Sequence, residues 1–136
     1  MKTTIKWIDN IMMVGESDSG HAVVMDGPEK LGGKNLGIRP MEMLLLGMGG
    51  CMIVDVISTL KKMREKVQDC YAEITAKRAD KHPKVFTKIH IHFVIKGNLN
   101  EQKVAKAVSL STDKYCSASI MLGKTAIVTH NFEIHE

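Results

Sequence analysis

The sequence predicts an α+β fold, an antiparallel sheet with one long buried central helix. Three observations carry that reading. Short segments of alternating apolar and polar residues lie at both ends of the chain. Between them, Met41 to Ile57 is almost wholly apolar, broken only by Glu42, three glycines, Cys51 and Asp55. Strands and helices are grouped rather than strictly alternating, which favours helices on one side of a sheet. With 136 residues, of which 44% are apolar and 25% charged, the chain is long enough for one domain spanning residues 1–136 with a core of its own.

The elements follow in order. Thr3 to Ile8 alternates as a strand with Ile5 and Trp7 on one face, and Asp9-Asn10 marks a turn. A second strand is expected around Met12–Val14 and a third over His21–Met25, together a three-stranded meander. Residues 26–39 form a glycine-rich loop. It matches neither the P-loop nor the dinucleotide-binding pattern, so phosphate binding is not expected there. Pro40 suits the first turn of the central helix, and Lys61, Lys62 and Arg64 suit its C-terminal end. A strand over residues 71–78 comes next. The clearest strand runs from Lys88 to Lys96, with Ile89, Ile91, Phe93 and Ile95 on one face and Lys88, His90, His92 and Lys96 on the other. Asn100 is an N-cap candidate for a helix through Ser111. A break at Thr112-Asp113 leads to a short helix over Lys114–Leu122 that Gly123 can close, and the last strand covers Thr125–His135. A helix apolar on nearly every side needs cover on both, and one small sheet covers only one. A homodimer is therefore expected.

Bulk properties exclude several classes. A formal net charge of +4 with lysines spread along the chain, and aromatics at 4%, give no nucleic-acid signature. Glu42 and Asp55 inside the apolar run argue for a core helix rather than a membrane span. Three cysteines without a C-x-x-C pair make no disulfide framework. Met1-Lys2-Thr3-Thr4 runs straight into mixed polar sequence, so no secretory leader is expected and a reducing cytoplasm is the expected compartment.

Candidate chemistry rests on thiols. Cys51, buried in the helix, reads either as packing or as chemistry. Gly47, Gly49 and Gly50 just before it open a surface for close approach by another backbone or a ligand. Cys116 lies near the start of a short helix beside Lys114, a setting that favours a reactive thiolate. Cys70 opens a strand and reads as structural. His90 and His92 share a strand face with metal-ligand spacing, but no third ligand is identifiable, and neither a metal nor a cofactor is expected. No G-x-S-x-G nucleophile elbow is present.

Taken together, Pro40-x-Glu42-x-Leu44-Leu45-Leu46-Gly47-x-Gly49-Gly50-Cys51, then Asp55-Val56, then Lys114-Tyr115-Cys116-Ser117-x-Ser119 resembles the OsmC/Ohr family over essentially the whole chain. That family holds the osmotically induced and organic-hydroperoxide-resistance proteins, and the resemblance is nearest to an OsmC-like branch carrying the Gly-Gly-Cys helix motif. It implies the OsmC-like fold and an intertwined homodimer with the two cysteines brought together along the subunit interface. It also implies a cysteine-dependent peroxidase of the oxidative stress response. Cys51 would attack an organic hydroperoxide and become a sulfenic acid, and Cys116 would condense with it to a disulfide. A dithiol reductant, such as a lipoylated protein, would reset the pair. Two alternatives stay open: a redox or sulfur-handling thiol protein without peroxidase activity, and a non-catalytic binder of a small hydrophobic molecule.

The chain departs from the family pattern in two places. Its only arginines are Arg39, Arg64 and Arg78, so the arginine that the family takes from its N-terminal strands is missing there. The family's glutamate position falls on Met41. Glu42, the supporting candidate, lies nine residues before Cys51 and so about half a turn around the helix from it. Asp55 is one helical turn after Cys51, and a carboxylate beside a thiol disfavours its ionisation.

Overall fold

A computed structural model describes all 136 residues, Met1–Glu136. The chain divides into two compact units, Met1–Leu46 and Gly47–Glu136, with the boundary inside the central helix. Each has its own three-stranded sheet.

In the first unit, β1 (Thr3–Asp9), β2 (Met12–Ser17) and β3 (Ala22–Met25) form the expected antiparallel meander in the order β1-β2-β3. The β1–β2 turn is made by Asn10 at φ 49°, a left-handed conformation that asparagine tolerates. Trp7 Nε1 donates to the Asn10 carbonyl at 2.8 Å and ties the strand to its turn. The glycine-rich loop holds a short 3₁₀ turn, η1 (Glu29–Leu31), and is organised by one buried side chain. Asp26 Oδ1 accepts the Gly27 N–H at 2.7 Å, and its Oδ2 accepts the N–H groups of Lys34 at 3.2 Å and Leu36 at 3.1 Å. Burial pushes the Asp26 carboxyl up, but these backbone donors outweigh it and hold the group below the usual carboxylate value. Glu42 closes the start of the long helix α1 (Pro40–Lys62), its Oε1 accepting the Arg39 N–H at 3.1 Å in the manner of a capping box.

The second unit contains the rest of α1 and a sheet of β4 (Asp69–Arg78), β5 (Phe86–Lys96) and β6 (Ile127–His135), with β5 central. The expected antiparallel pairing holds for β4–β5, whereas β6 lies parallel to β5. The reason is topological: β5 reaches β6 through helices, and such a crossover returns the chain in the same direction. Ile89, Ile91, Phe93 and Ile95 are buried together as their alternation requires. The burial of α1 is narrower than its composition suggested. Met48, Met52, Val56 and Leu60, each four residues from the next, are fully buried, while Val54 on another side is 64% exposed. Gly49 explains how the helix approaches its sheet, since a Cβ there would come within 2.9 Å of Ile74 Cδ1 on β4. Gly47 and Gly50 have open space beside them.

The C-terminal end of α1 turns through Arg64 at φ 63°, with the Glu65 N–H bonding back to the Leu60 carbonyl. Glu65 then latches the next helix, α2 (Glu101–Leu110). Its carboxylate accepts Lys103 Nζ at 2.6 Å and the Asn100 N–H at 2.9 Å. Asn100 caps α2 as expected, its Oδ1 accepting the Lys103 N–H at 3.1 Å. In place of the expected break, α2 runs on into a π-helical turn, η2 (Ser111–Tyr115), and α3 (Ser117–Leu122) follows.

Candidate functional site

Three elements converge on a cluster of two thiols and a carboxylate. Cys51 and Asp55 stand one turn apart on α1, and Cys116 sits at the bend between the π turn and α3. Their ligating atoms, two Sγ and one carboxylate oxygen, all lie within 4.8 Å of one another. Cys116 is fully buried and Cys51 and Asp55 are half-buried, so the cluster has an inner and an outer end.

The π turn delivers Cys116 to this place. The wider turn brings the Cys116 N–H onto the Ser111 carbonyl at 2.9 Å, five residues back. Ser111, also fully buried, is fixed to α1, its Oγ lying 3.2 Å from the Met52 carbonyl and 3.5 Å from Asp55 Oδ2. Ser119 Oγ donates to the Thr112 carbonyl at 3.1 Å and closes the turn from the other side. The Cys116 thiol has its own partners: Sγ points at the Met48 carbonyl at 3.8 Å and accepts the Ser119 N–H at 3.3 Å.

The expectation that Cys116 is an activated thiolate is overturned. It does cap α3, but burial and then the hydrogen bond with Cys51 push its thiol up to about 11, against the lowering effect of the Ser119 N–H. Lys114 stacks over the Tyr115 ring, 5.8 Å from its centroid. Cys70 is likewise raised to about 11, by burial and by Asp69, in keeping with a structural role.

The remaining candidates are placed as follows. Glu42 is engaged at the cap of α1, and Arg39 Nη1 donates to the Gly37 carbonyl at 3.0 Å with its Nε 3.9 Å from Glu42. His90 and His92 belong to a polar ladder across β5 and β6. His90 Nδ1 lies 2.7 Å from Thr129 Oγ1, and Asn131 Oδ1 lies 3.1 Å from His90 Nε2 and 2.7 Å from His92 Nδ1. Sequence reasoning missed Ser111 and the shared position of Asp55 beside both sulfurs. Ser111 sits sixty residues from Cys51, and no local pattern links them.

A sheet-and-helix fold carrying a thiol pair from its central helix and a later bend defines a class, and the comparisons agree with it. The chain belongs to the OsmC-like protein family, whose model matches residues 32–131. Among curated relatives, Protein YhfA of Escherichia coli K12 is 42% identical, the match covering 98% of each chain. A hypothetical protein of Aquifex aeolicus has a crystal structure that superposes with a TM-score of 0.83 at 30% identity, covering 99% of this chain and 97% of that one. A Legionella pneumophila protein described as an organic hydroperoxide resistance protein OsmC shares the fold, with a TM-score of 0.75 at 17% identity and coverage of 98% and 97%.

Proposed function

We propose that the chain is a thiol peroxidase for organic hydroperoxides, with Cys51 as the attacking thiol and Cys116 as the resolving one. The observation that carries this reading is the paired sulfurs, one half-exposed and one fully buried, within 4.8 Å. A peroxide reaches the outer sulfur first. Attack by the Cys51 thiolate breaks the O–O bond, forms a sulfenic acid and, with one proton, releases an alcohol. The Cys116 thiol then displaces water from that sulfenic acid to form the disulfide. A dithiol, lipoyl-bearing in the nearest chemistry, returns both thiols by exchange. The buried, protonated Cys116 suits the second role, because it keeps its proton until a sulfenic acid stands beside it. The hydroperoxide-resistance description of the Legionella pneumophila neighbour supports the substrate class.

The reading includes a homodimer. On α1, Leu44, Leu46 and Val54 are 47%, 61% and 64% exposed, and Trp7 on β1 is 74% exposed, which leaves apolar faces for a second copy to cover. Three free cysteines fit a reducing cytoplasm.

The test is consumption of cumene hydroperoxide with a dithiol reductant. The expected result is turnover in the unmodified protein, none in Cys51→Ser, and a sulfenic acid trapped by dimedone in Cys116→Ser. A second reading, a redox thiol protein that does not use peroxides, draws on Asp55, whose negative carboxylate beside both sulfurs is unlike the positive charge that stabilises a thiolate. Disulfide formation with diamide but no peroxide consumption selects it. Light scattering at micromolar concentration checks the dimer, and a monodisperse species at the 15.1 kDa chain mass removes it.

A further inference from the structure

The geometry points to a metal site in the same cluster: Cys51, Cys116 and Asp55 hold one Zn²⁺ ion in the reduced protein, and formation of the Cys51–Cys116 disulfide ejects it. Two thiolates and a carboxylate are a donor set that zinc takes, and the sulfurs select it over hard cations such as Mg²⁺ or Ca²⁺. Distance fits as well. Zinc–sulfur bonds of about 2.3 Å and zinc–oxygen bonds of about 2.0 Å at tetrahedral angles place two sulfurs roughly 3.8 Å apart and a sulfur and an oxygen roughly 3.5 Å apart, so donors already within 4.8 Å need to close by about 1.3 Å or less.

The surroundings supply what a zinc site needs around its ligands. Ser111 Oγ, 3.2 Å from the Met52 carbonyl and 3.5 Å from Asp55 Oδ2, carries one proton that it can turn from the carbonyl onto the carboxylate to orient it. The Ser119 N–H on Cys116 Sγ, at 3.3 Å, remains a good hydrogen bond when that sulfur is a thiolate. Three protein ligands leave a fourth position, on the half-exposed Cys51 side, for water. The three residues come from two distant stretches of chain, which is why no C-x-x-C or H-x-H spacing announces them.

The balance is simple. Binding releases the two thiol protons, leaving zinc with two thiolates and a carboxylate. Oxidation takes one electron from each sulfur, joins them, and frees Zn²⁺, because a disulfide is a poor ligand. With diamide as oxidant, its N=N bond receives the two electrons from the sulfurs and two protons from solvent. Binding does not depend on the peroxidase reading. Release by peroxide does rest on it.

The full-length protein, reduced with a phosphine and desalted without oxygen, is titrated with Co²⁺ and then with Zn²⁺ against a chromophoric chelator. Expected are one ion per chain, near-ultraviolet thiolate-to-cobalt bands, and intense visible bands of tetrahedral cobalt. Cys51→Ser and Cys116→Ser abolish those bands, Asp55→Asn weakens zinc binding roughly tenfold or more, and Cys70→Ser changes neither. Diamide releases one equivalent of zinc as the Cys51–Cys116 disulfide appears by mass spectrometry. Absence of the thiolate-to-cobalt bands in the unmodified protein overturns the proposal, and that outcome requires no variant to fold. Bands or affinity unchanged in both Cys51→Ser and Cys116→Ser overturn it as well. Zinc binding without hydroperoxide consumption keeps the metal site and removes the peroxidase, and hydroperoxide consumption without zinc binding does the reverse.

Discussion

Removing Cys51 should make Cys116 more reactive, not less. Burial is the larger cause of the high Cys116 value and the Cys51 hydrogen bond the next, so Cys51→Ser relieves only part of it. The magnitude starts from ionisation. At pH 8 a thiol at its ordinary value of 9.0 is about 10% thiolate, and one at about 11 is about 0.1%, roughly a hundredfold difference in attacking species. The more basic thiolate is the better nucleophile, which offsets roughly tenfold of this, while full burial of the sulfur adds an access penalty. The assay is the rate of iodoacetamide labelling of each cysteine between pH 7 and 11, read by mass spectrometry of peptides, with a chelator present. In the unmodified protein Cys116 should label at least about tenfold more slowly at pH 8 than a small-molecule thiol. In Cys51→Ser the pH midpoint of Cys116 should fall yet stay above 9.0. Labelling of Cys116 at pH 8 as fast as the free thiol refutes the reasoning, as does a midpoint that rises when Cys51 is removed.

Stability should fall at both pH extremes. Cys70 and Cys116 keep their protons to about 11 in the fold but lose them near 9.0 when unfolded, so their contribution is complete below pH 9 and is lost on rising to pH 11. Asp26 and Glu65, both held below their ordinary values of 3.8 and 4.5, contribute above those values and lose the contribution as pH falls beneath them. Urea midpoints across pH 3 to 11 read both limbs, and Cys70→Ser should flatten the alkaline one. Leu60→Ala, at a fully buried position, should cost about 2–5 kcal/mol in urea unfolding. Gly49→Val should lose about 1–3 kcal/mol in the same measurement, because its Cβ alone would stand 2.9 Å from Ile74 Cδ1 and its methyl groups need further room.

What the sequence made legible is what depends on neighbours in the chain. The alternation of Ile89, Ile91, Phe93 and Ile95 placed the buried face of β5, and Asn100 announced its cap because a cap is read within four residues. Cys51 and Cys116 were singled out from local motifs, and the fold sets them side by side. The misses are of another kind. Parallel pairing of β6 depends on where two helices return the chain. The reversal at Cys116 arose because Lys114 and the helix start are local and visible, whereas burial under α1 is tertiary, and burial outweighs them. Asp26 falls in the glycine-rich loop with no local sign of its role, yet its carboxylate reaches the backbone eight and ten residues onward.

The π turn over Ser111–Tyr115 has a consequence for how this segment tolerates change. A π turn is an α-helix carrying one surplus residue. Asp113 and Lys114 are exposed, so many side chains can replace theirs at little cost. Deleting either one is a different matter. The ladder would relax to ordinary α spacing, rotate everything after it by about 100°, and swing the Cys116 sulfur away from α1. The stretch from Ser111 to Cys116 acts as a gauge block: Asp113 and Lys114 are free in composition, but their number holds the two sulfurs in register.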